Sequence, residues 1–509
     1  MKSNITYKNS LPNILTLGQT CKVINCHPNT LRNWDNNGTL KAIRFGARRD
    51  RRYHRNDILA LIEDTSLSNT KTTSLSLDSI YEELSSNAVI TSDNSFSTLV
   101  NFSTNTETPL HGWFKYREGY SSKLVESFIK DEIGILDPFC GSGTTMLTAK
   151  KRGVPSWGFE INPLSSFVSK VKLENYSVEE IGEIKKNTPI LTRFDGHEKV
   201  TRPGLEILDR AFNKQILITL LQIKSNIEKI QNNKVKNFFC LAWLIIIESV
   251  SNTYKEGNGI KYRTTKRTPE GYVKINQKVW EDKTFGTNKK TFVTNRFNEQ
   301  IENMLVDLTT LKTSSTPATV YNEDAKTISK TLGCNSISLT IFSPPYANCF
   351  DYFETYKIEL WLGGFIKSYE EMRNLRYKAL RSNLNTNISA PTRNFKELEQ
   401  LISHMDTTVL WDSRIPAVLR GYFSDMEDVL RNVFEVTKHG GRCVMVVGNS
   451  AYGNVIIPTD LLLYKIAKEI GFSNCKLAIA RHLTTSSQQK SKLNKYKKYL
   501  RESIIILEK

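Results

Sequence analysis

Two short strings hold the residue types that chemistry needs. The first is Asp137-Pro138-Phe139-Cys140-Gly141-Ser142-Gly143-Thr144-Thr145. Its two glycines allow a tight turn and a close approach of the backbone to a ligand. A helix opening at Thr144 would present free N–H groups at its start. One acid, Asp137, precedes the turn. A second, Glu160, follows about 20 residues on, a spacing that suits a carboxylate accepting hydrogen bonds from a ribose diol. The string lacks the third glycine of a dinucleotide fingerprint and the Gly-Lys-Ser/Thr of a P-loop. The second string is Ser343-Pro344-Pro345-Tyr346. Consecutive prolines fix the backbone and remove donors, so their carbonyls stay free as acceptors. The Ser343 hydroxyl adds a donor or acceptor, and Tyr346 offers a flat face for stacking.

The elements that must position these strings alternate in type. Apolar runs at Ile133–Leu136, Ser156–Phe159, Ala318–Tyr321, Ser336–Phe342, Arg442–Val447, Lys476–Ile479 and Ser503–Leu507 read as strands, and the first two are each followed by helical patterns, Thr144–Lys151 and Leu164–Val171. This predicts an α/β fold with a mostly parallel sheet. Asp137 and Ser343 each sit where a strand ends. Between Glu179 and about Leu311 the rhythm gives way to a mainly helical segment, with an irregular basic stretch from Thr253 to Lys290. A Ser-, Thr- and Asn-rich span, 65–109, reads as a flexible linker with one short helix at Leu77–Leu84.

Composition limits the partners. The 509-residue chain is long enough for two to four domains of roughly 100–200 residues. Its longest apolar run, Phe238–Ile247, is ten residues, half of the roughly 20 that a membrane span needs. The opening Met1-Lys2-Ser3-Asn4 predicts no secretory leader, and eight cysteines without Cys-x-x-Cys spacing argue against a zinc site or a disulfide framework. A cytoplasmic protein without a metal centre is expected. The net charge of +18 is concentrated: residues 1–64 carry 11 basic and 5 acidic side chains, 255–296 carry 11 and 4, and 481–501 carry seven and none. Clustered cations suit a polyanion, and nucleic acid is the expected one.

The N-terminal block has its own pattern. Leu17–Ile24 reads as a helix, Pro28 opens a second helix through Asp35, and two short extended pieces around Gly46 are dense in Arg. The Pro28–Trp34 helix, Gly38-x-Leu40 and Arg51-Arg52-Tyr53-x-x-x-Asp57-Ile58 resemble the winged helix-turn-helix of MerR-like and excisionase-like domains. That resemblance implies a second helix in the major groove of DNA, with Asn29, Thr30, Arg32 and Asn33 facing it, and Arg48, Arg49, Arg51 and Arg52 meeting phosphates from the wing.

The two strings together resemble the amino-methyltransferases of DNA, enzymes that methylate exocyclic amines with S-adenosylmethionine. Asp137–Thr144 matches their Asp-Pro-Phe-x-Gly-x-Gly-Thr loop, and Ser343–Tyr346 their (Asp/Asn/Ser)-Pro-Pro-(Tyr/Phe/Trp) loop. The resemblance extends to His111-x-x-x-Lys115-Tyr116, Gly158–Pro163, Asn322–Ala325, Gly440-Gly441-Arg442 and Arg501–Glu508, and so spans about 110–509 apart from the insertion. It implies a Rossmann-like class I methyltransferase sheet with a large helical insertion, plus the small winged helix-turn-helix domain. The organisation would be 1–64 for DNA binding, 65–109 as linker, 110–176 and 317–509 as catalytic domain, and 177–316 as insertion.

By the same resemblance, Asp137, Phe139, Gly141, Gly143 and Thr144 would cradle the cofactor. Glu160 would hold its ribose, and Asp324 would meet its adenine amine. Lys115 and Tyr116 would lie beside its methionine end. Ser343, Pro344 and Pro345 would bind the target amine, and Tyr346 would stack on the flipped base. Serine before Pro-Pro-Tyr is more typical of the cytosine-N4 enzymes than of the adenine-N6 ones, so cytosine is expected, with adenine-N6 as the alternative. Methylation of cytosine carbon 5 is disfavoured, because that chemistry uses a Pro-Cys nucleophile and no Pro-Cys pair occurs. Lys261, Arg263, Lys266 and Arg267, set among glycines and aromatics, are the candidates for target recognition and phosphate contact. The expected partners are double-stranded DNA and, as a candidate, a cognate restriction endonuclease; the oligomeric state stays open. The rival of another class is a DNA-binding regulator whose methyltransferase fold is inert.

Overall fold

The computed structural model describes residues 12–24, 28–37, 40–46, 50–59, 75–194, 200–257, 259–268, 271–311, 314–484 and 490–509. The chain forms two compact units, Met1–Ser76 and Leu77–Lys509.

In the first unit, helices Leu17–Ile24 and Pro28–Asn37 sit with a three-stranded sheet of β1 (Ile14–Thr16), β2 (Ile43–Phe45) and β3 (Asp50–His54), in the order β1-β3-β2. Leu15, Leu31, Leu40, Tyr53 and Ile58 make its buried core. Asp35 ties the second helix to the sheet, accepting from the Ala42 N–H and pairing with Arg44 and Arg51 at 2.6 and 2.7 Å.

The second unit is built on an eight-stranded sheet. Its strands are β4 (Ile90–Ser92), β5 (Ile135–Asp137), β6 (Ser156–Phe159), β11 (Ala318–Tyr321), β12 (Ile337–Phe342), β13 (Thr437–Gly448), β16 (Ser473–His482) and β17 (Arg501–Glu508). The order is β11-β6-β5-β12-β13-β17-β16-β4. Neighbours from β11 to β13 are parallel, and β17 runs antiparallel to both β13 and β16. Placing the last strand, reversed, between the two before it is the class I methyltransferase arrangement on a Rossmann-like sheet. The order also fixes the position of the site. The chain leaves β5 for β6 on one side, while β12 and β13 build the other side. The tips of β5 and β12 therefore meet at a topological switch point, where ligands bind in open α/β sheets.

Two expectations are corrected. The span 65–109 is not a linker throughout. Its first residues, 65–74, lie outside the described residues. From Leu77 on, the chain packs into the second unit. The helix Leu77–Ser86 buries Ile80, Tyr81 and Leu84 in the main core, and Tyr81 Oη both donates to the Ile456 carbonyl and accepts from the Ile456 N–H. β4 then pairs with β16 as the sheet edge. The segment is poor in apolar residues, so composition hides a role that comes from pairing and a few buried contacts. The basic stretch within the insertion is also more regular than expected. It forms two hairpins, β7 (Thr253–Glu256) with β8 (Gly259–Tyr262) and β9 (Thr265–Thr268) with β10 (Gly271–Lys274), before the helices Gln277–Phe285 and Lys289–Thr310. Among the described residues the rest of the insertion is mainly helical, as its periodicity predicts, around Phe238, Phe239, Trp243 and Phe297. Among the described residues, no helix is long and apolar enough to cross a membrane.

Candidate active site

The turn after β5 is braced from three sides. Gly141 has φ +49°, and a Cβ on it would come within 2.7 Å of the Tyr116 ring. Gly143, at φ +82°, caps the helix Thr144–Lys151, and its added Cβ would press on Ser169. Both positions therefore call for glycine, by backbone conformation and by space. The Ser169 hydroxyl donates to the Gly141 carbonyl at 2.7 Å. From the helix Pro163–Leu173, the buried Lys172 ammonium donates to the Ser142 carbonyl at 2.8 Å and to the His111 carbonyl at 3.3 Å. Burial without a counter-charge lowers the Lys172 pKa to about 7. Cys140 packs against Gly158, where a side chain would have no room, so its thiol is a packing group.

The two acids at the strand tips are both held by backbone donors. Asp137 accepts from the Phe139 N–H and from Tyr120 Oη, each at 3.0 Å. Glu160 accepts from the Gly141 N–H at 2.9 Å with one oxygen and from the Asn162 N–H at 2.8 Å with the other. Burial raises Asp137 to about 6 and Glu160 to about 7, with the backbone donors pulling each back down. Glu160 thus links the two loops, and among the described residues its buried carboxyl has no cationic partner.

Ser343–Tyr346 follows β12. Phe342 at the strand tip lies 5.7 Å, centroid to centroid, from Phe139 in the neighbouring loop. The two strings, some 200 residues apart in sequence, face one cleft that is partly open to solvent. Of the predicted residues, Tyr116, Asp137, Phe139, Gly141, Thr144, Glu160, Ser343 and Pro345 line it. The others take different positions. Pro344 is buried behind the loop. Gly143 shapes the turn from beneath. Lys115 is exposed, outside the cleft. Asp324 caps the turn after β11 by accepting from the Lys326 N–H, and it pairs with that lysine at 3.3 Å. Tyr346 does not line the cleft. Its ring lies against Gly448, and its hydroxyl donates to Glu502 at 2.6 Å, a carboxylate that Arg481 holds from the other side.

The cleft has walls that the sequence reading did not assign. Glu118 and Tyr120 lie just beyond the expected upstream segment, and Tyr120 could have been sought by extending that segment four residues. Tyr352 and Phe353 follow the Ser343 loop. The segment Ala379–Asn383 closes a further side and bears no recognisable string.

The predicted DNA-facing residues are placed unevenly. Arg48 and Arg49 lie outside the described residues, as do the side chains of Asn29, Thr30, Asn33 and Arg267. Arg32 is exposed on the second helix of the first unit. Arg51 is engaged with Asp35, and Arg52 donates to the Arg51 carbonyl at 3.3 Å. In the hairpins, Lys261 and Lys266 are exposed, while Arg263 lies 5.5 Å over the Tyr254 ring.

The strand order and the glycine-cradled cleft at the switch point define a class I methyltransferase fold, preceded by a small helix-turn-helix unit. Comparison with known proteins agrees. Residues 14–66 match a family model described as a helix-turn-helix domain. The type II methyltransferase M.BsoBI of Geobacillus stearothermophilus is 28% identical over 453 residues, covering 81% of this chain and 88% of that one. M.AvaI of Nostoc sp. (strain PCC 7120 / SAG 25.82 / UTEX 2576) is 27% identical over 405 residues, 75% and 83% of the two chains, and M.MvaI of Kocuria varians is 24% identical over 395 residues, 72% and 82%. Over most of its length the chain is homologous to type II methyltransferases.

Proposed function

We propose that this protein is a sequence-specific DNA methyltransferase that moves a methyl group from S-adenosylmethionine to the exocyclic N4 amine of cytosine in double-stranded DNA, within a restriction–modification or defence system. One observation carries the reading: the glycine turn after β5 and the Ser-Pro-Pro-Tyr loop after β12 sit on adjacent parallel strands and line one cleft.

The residues present fit the cofactor. The positive-φ turn at Gly141 and Gly143 brings the backbone of Gly141 and the start of the following helix, Thr144, to the cleft wall. The Glu160 carboxyl suits a ribose diol. The start of the helix at Thr144 offers N–H groups to a carboxylate. Once bound, S-adenosylmethionine supplies an electrophilic methyl group on sulfur. The protein's own task is then to make a poor nucleophile attack. The lone pair of cytosine's amine is delocalised into the ring. Donation from that amine to the Ser343 hydroxyl oxygen and the Pro344 carbonyl would draw the nitrogen toward a tetrahedral state, so catalysis is positioning plus electrostatics. The target must first leave the duplex stack. Exposed Lys261 and Lys266 on the hairpins and the Arg-rich helix-turn-helix unit supply phosphate contacts. A cognate restriction endonuclease is the partner this role implies.

Digestion of genomic DNA from cells expressing the protein, followed by mass spectrometry of the nucleosides, tests the reading. A 4-methylcytosine peak absent with Ser343→Ala supports it. A 6-methyladenine peak would keep the enzyme and overturn the base. No methylated base from a folded protein would favour an inert, DNA-binding regulator.

A further inference from the structure

The segment Ala379–Asn383 is held in the cleft wall by an unusual clamp. Arg381 donates to Asp425 of the helix Ile415–Val436 three times: through its backbone N–H at 2.9 Å, Nε at 3.1 Å and Nη2 at 2.8 Å. Its remaining nitrogen, Nη1, reaches the Ala390 and Pro391 carbonyls. The side chain lies so close to Gly421 that a Cβ there would stand 2.9 Å from Arg381 Cδ. Asp425 also pairs with Lys326 at 3.5 Å, and Lys326 with Asp324. A buried bidentate pair with every guanidinium nitrogen engaged fixes a backbone in place; it does not decorate a surface.

The fixed segment presents two polar groups to the cleft. Ser382 and Asn383 are 2% and 4% exposed, and both line the cavity. Asn383 spends Oδ1 on the Asn385 N–H at 3.0 Å, which sets the orientation of its amide. Among the described residues, neither Asn383 Nδ2 nor Ser382 Oγ has a hydrogen-bond partner, and neither atom is sealed from the cavity. Donors this deeply placed are ordinarily satisfied. An amide N–H₂ beside a hydroxyl matches adjacent ring acceptors of a nucleobase, such as a ring nitrogen next to an exocyclic group.

We propose that Ser382 and Asn383 form a subsite for the hydrogen-bonding edge of a nucleobase, with Arg381 as the residue that positions them. This rests on the methyltransferase reading above. Two bases enter the cleft in that reaction: the cofactor's adenine and the flipped target.

The test uses the full-length protein with Ser382→Ala and Asn383→Asp, the latter keeping the Oδ1 acceptor and exchanging the amide donor for a carboxylate oxygen with its charge. One arm measures S-adenosylhomocysteine binding by calorimetry. The other measures tritium transfer to plasmid DNA grown without the enzyme, at saturating S-adenosylmethionine. A loss of about tenfold or more in cofactor affinity in both variants assigns the subsite to adenine. A comparable loss in turnover or in KM for DNA, with cofactor affinity kept, assigns it to the target. Ser382→Thr, which retains the hydroxyl, should recover most of the loss. Both variants within twofold of wild type in both arms would overturn the subsite. So would a loss that Ser382→Thr shares in full, because shape would then be what matters. Failure of the wild type to bind S-adenosylhomocysteine or to methylate DNA would sink the enzymatic reading instead.

Discussion

The cleft and the second hairpin of the insertion are opposite in construction. Around the cleft, charged groups brace the backbone: Glu160 spans two loops, Lys172 pins a carbonyl of the glycine turn, and Arg381 clamps the far wall. In the β9–β10 hairpin, β10 is exposed along its whole length and Tyr272 is 73% exposed, with cations standing in solvent. Chemistry that depends on tenths of an ångström needs the first kind of region. Contact with DNA phosphates, the role proposed for the hairpins, needs accessible cations such as those the second presents.

Substitutions should separate them in order of size. Ser343→Ala removes an acceptor for the target amine and should lower methyl transfer by about 10²-fold or more, with cofactor affinity near wild type, measured by single-turnover kinetics alongside calorimetry. Gly141→Ala puts a Cβ into the Tyr116 ring at a positive φ and should weaken S-adenosylhomocysteine binding by about tenfold or more; a wild-type affinity would show that the cradle yields.

The next effect is pH-dependent. Burial raises the Glu160 carboxyl to about 7 in the folded protein, above its ordinary 4.5. Only the carboxylate accepts both diol protons, so cofactor affinity should climb from pH 6 to 8 and level off above, by about tenfold per pH unit on the acid side. Glu160→Gln should flatten that profile. For the ligand-free protein the sign is reversed. The folded state holds this proton more tightly than the unfolded chain does, so stability falls as pH rises from about 4.5 to about 7, and Glu160→Gln removes that fall in urea titrations. The smallest effects belong to the hairpins. Lys261→Ala with Lys266→Ala should weaken DNA binding several-fold and reduce the log–log salt slope by about 1 per cation, leaving S-adenosylhomocysteine affinity unchanged. A change in cofactor affinity there would break the separation.

How much of this was legible in the sequence depended on whether the signal was local. The strings at Asp137 and Ser343 sit at the ends of apolar runs, so the strand tips followed from periodicity and turn chemistry, whereas the pairing of β5 with β12 shows only in the folded sheet. The Arg381–Asp425 clamp joins residues 44 apart with no recognisable string at either end, and only the folded chain shows that it walls the cleft. Lys115 and Asp324 were assigned through the resemblance, yet their side chains stand outside the cleft, because a motif fixes a backbone path and not where each side chain finishes. Tyr346 was assigned by residue type and by the resemblance, and the hydrogen bond to Glu502 that anchors it comes from a strand 156 residues later.

The pairing of β4 with β16 also has a consequence in time. Thr91 and Leu477 meet across 386 residues of chain. During synthesis, which runs at about 5–20 residues per second, the segment that completes one border of the sheet is among the first parts of its unit to emerge and among the last to find its place. Until Ser473–His482 has been made, Leu77–Ser92 has no strand to join. A fragment begun at residue 110 would keep both strings and still leave β16 with an open edge, a template for pairing with other chains.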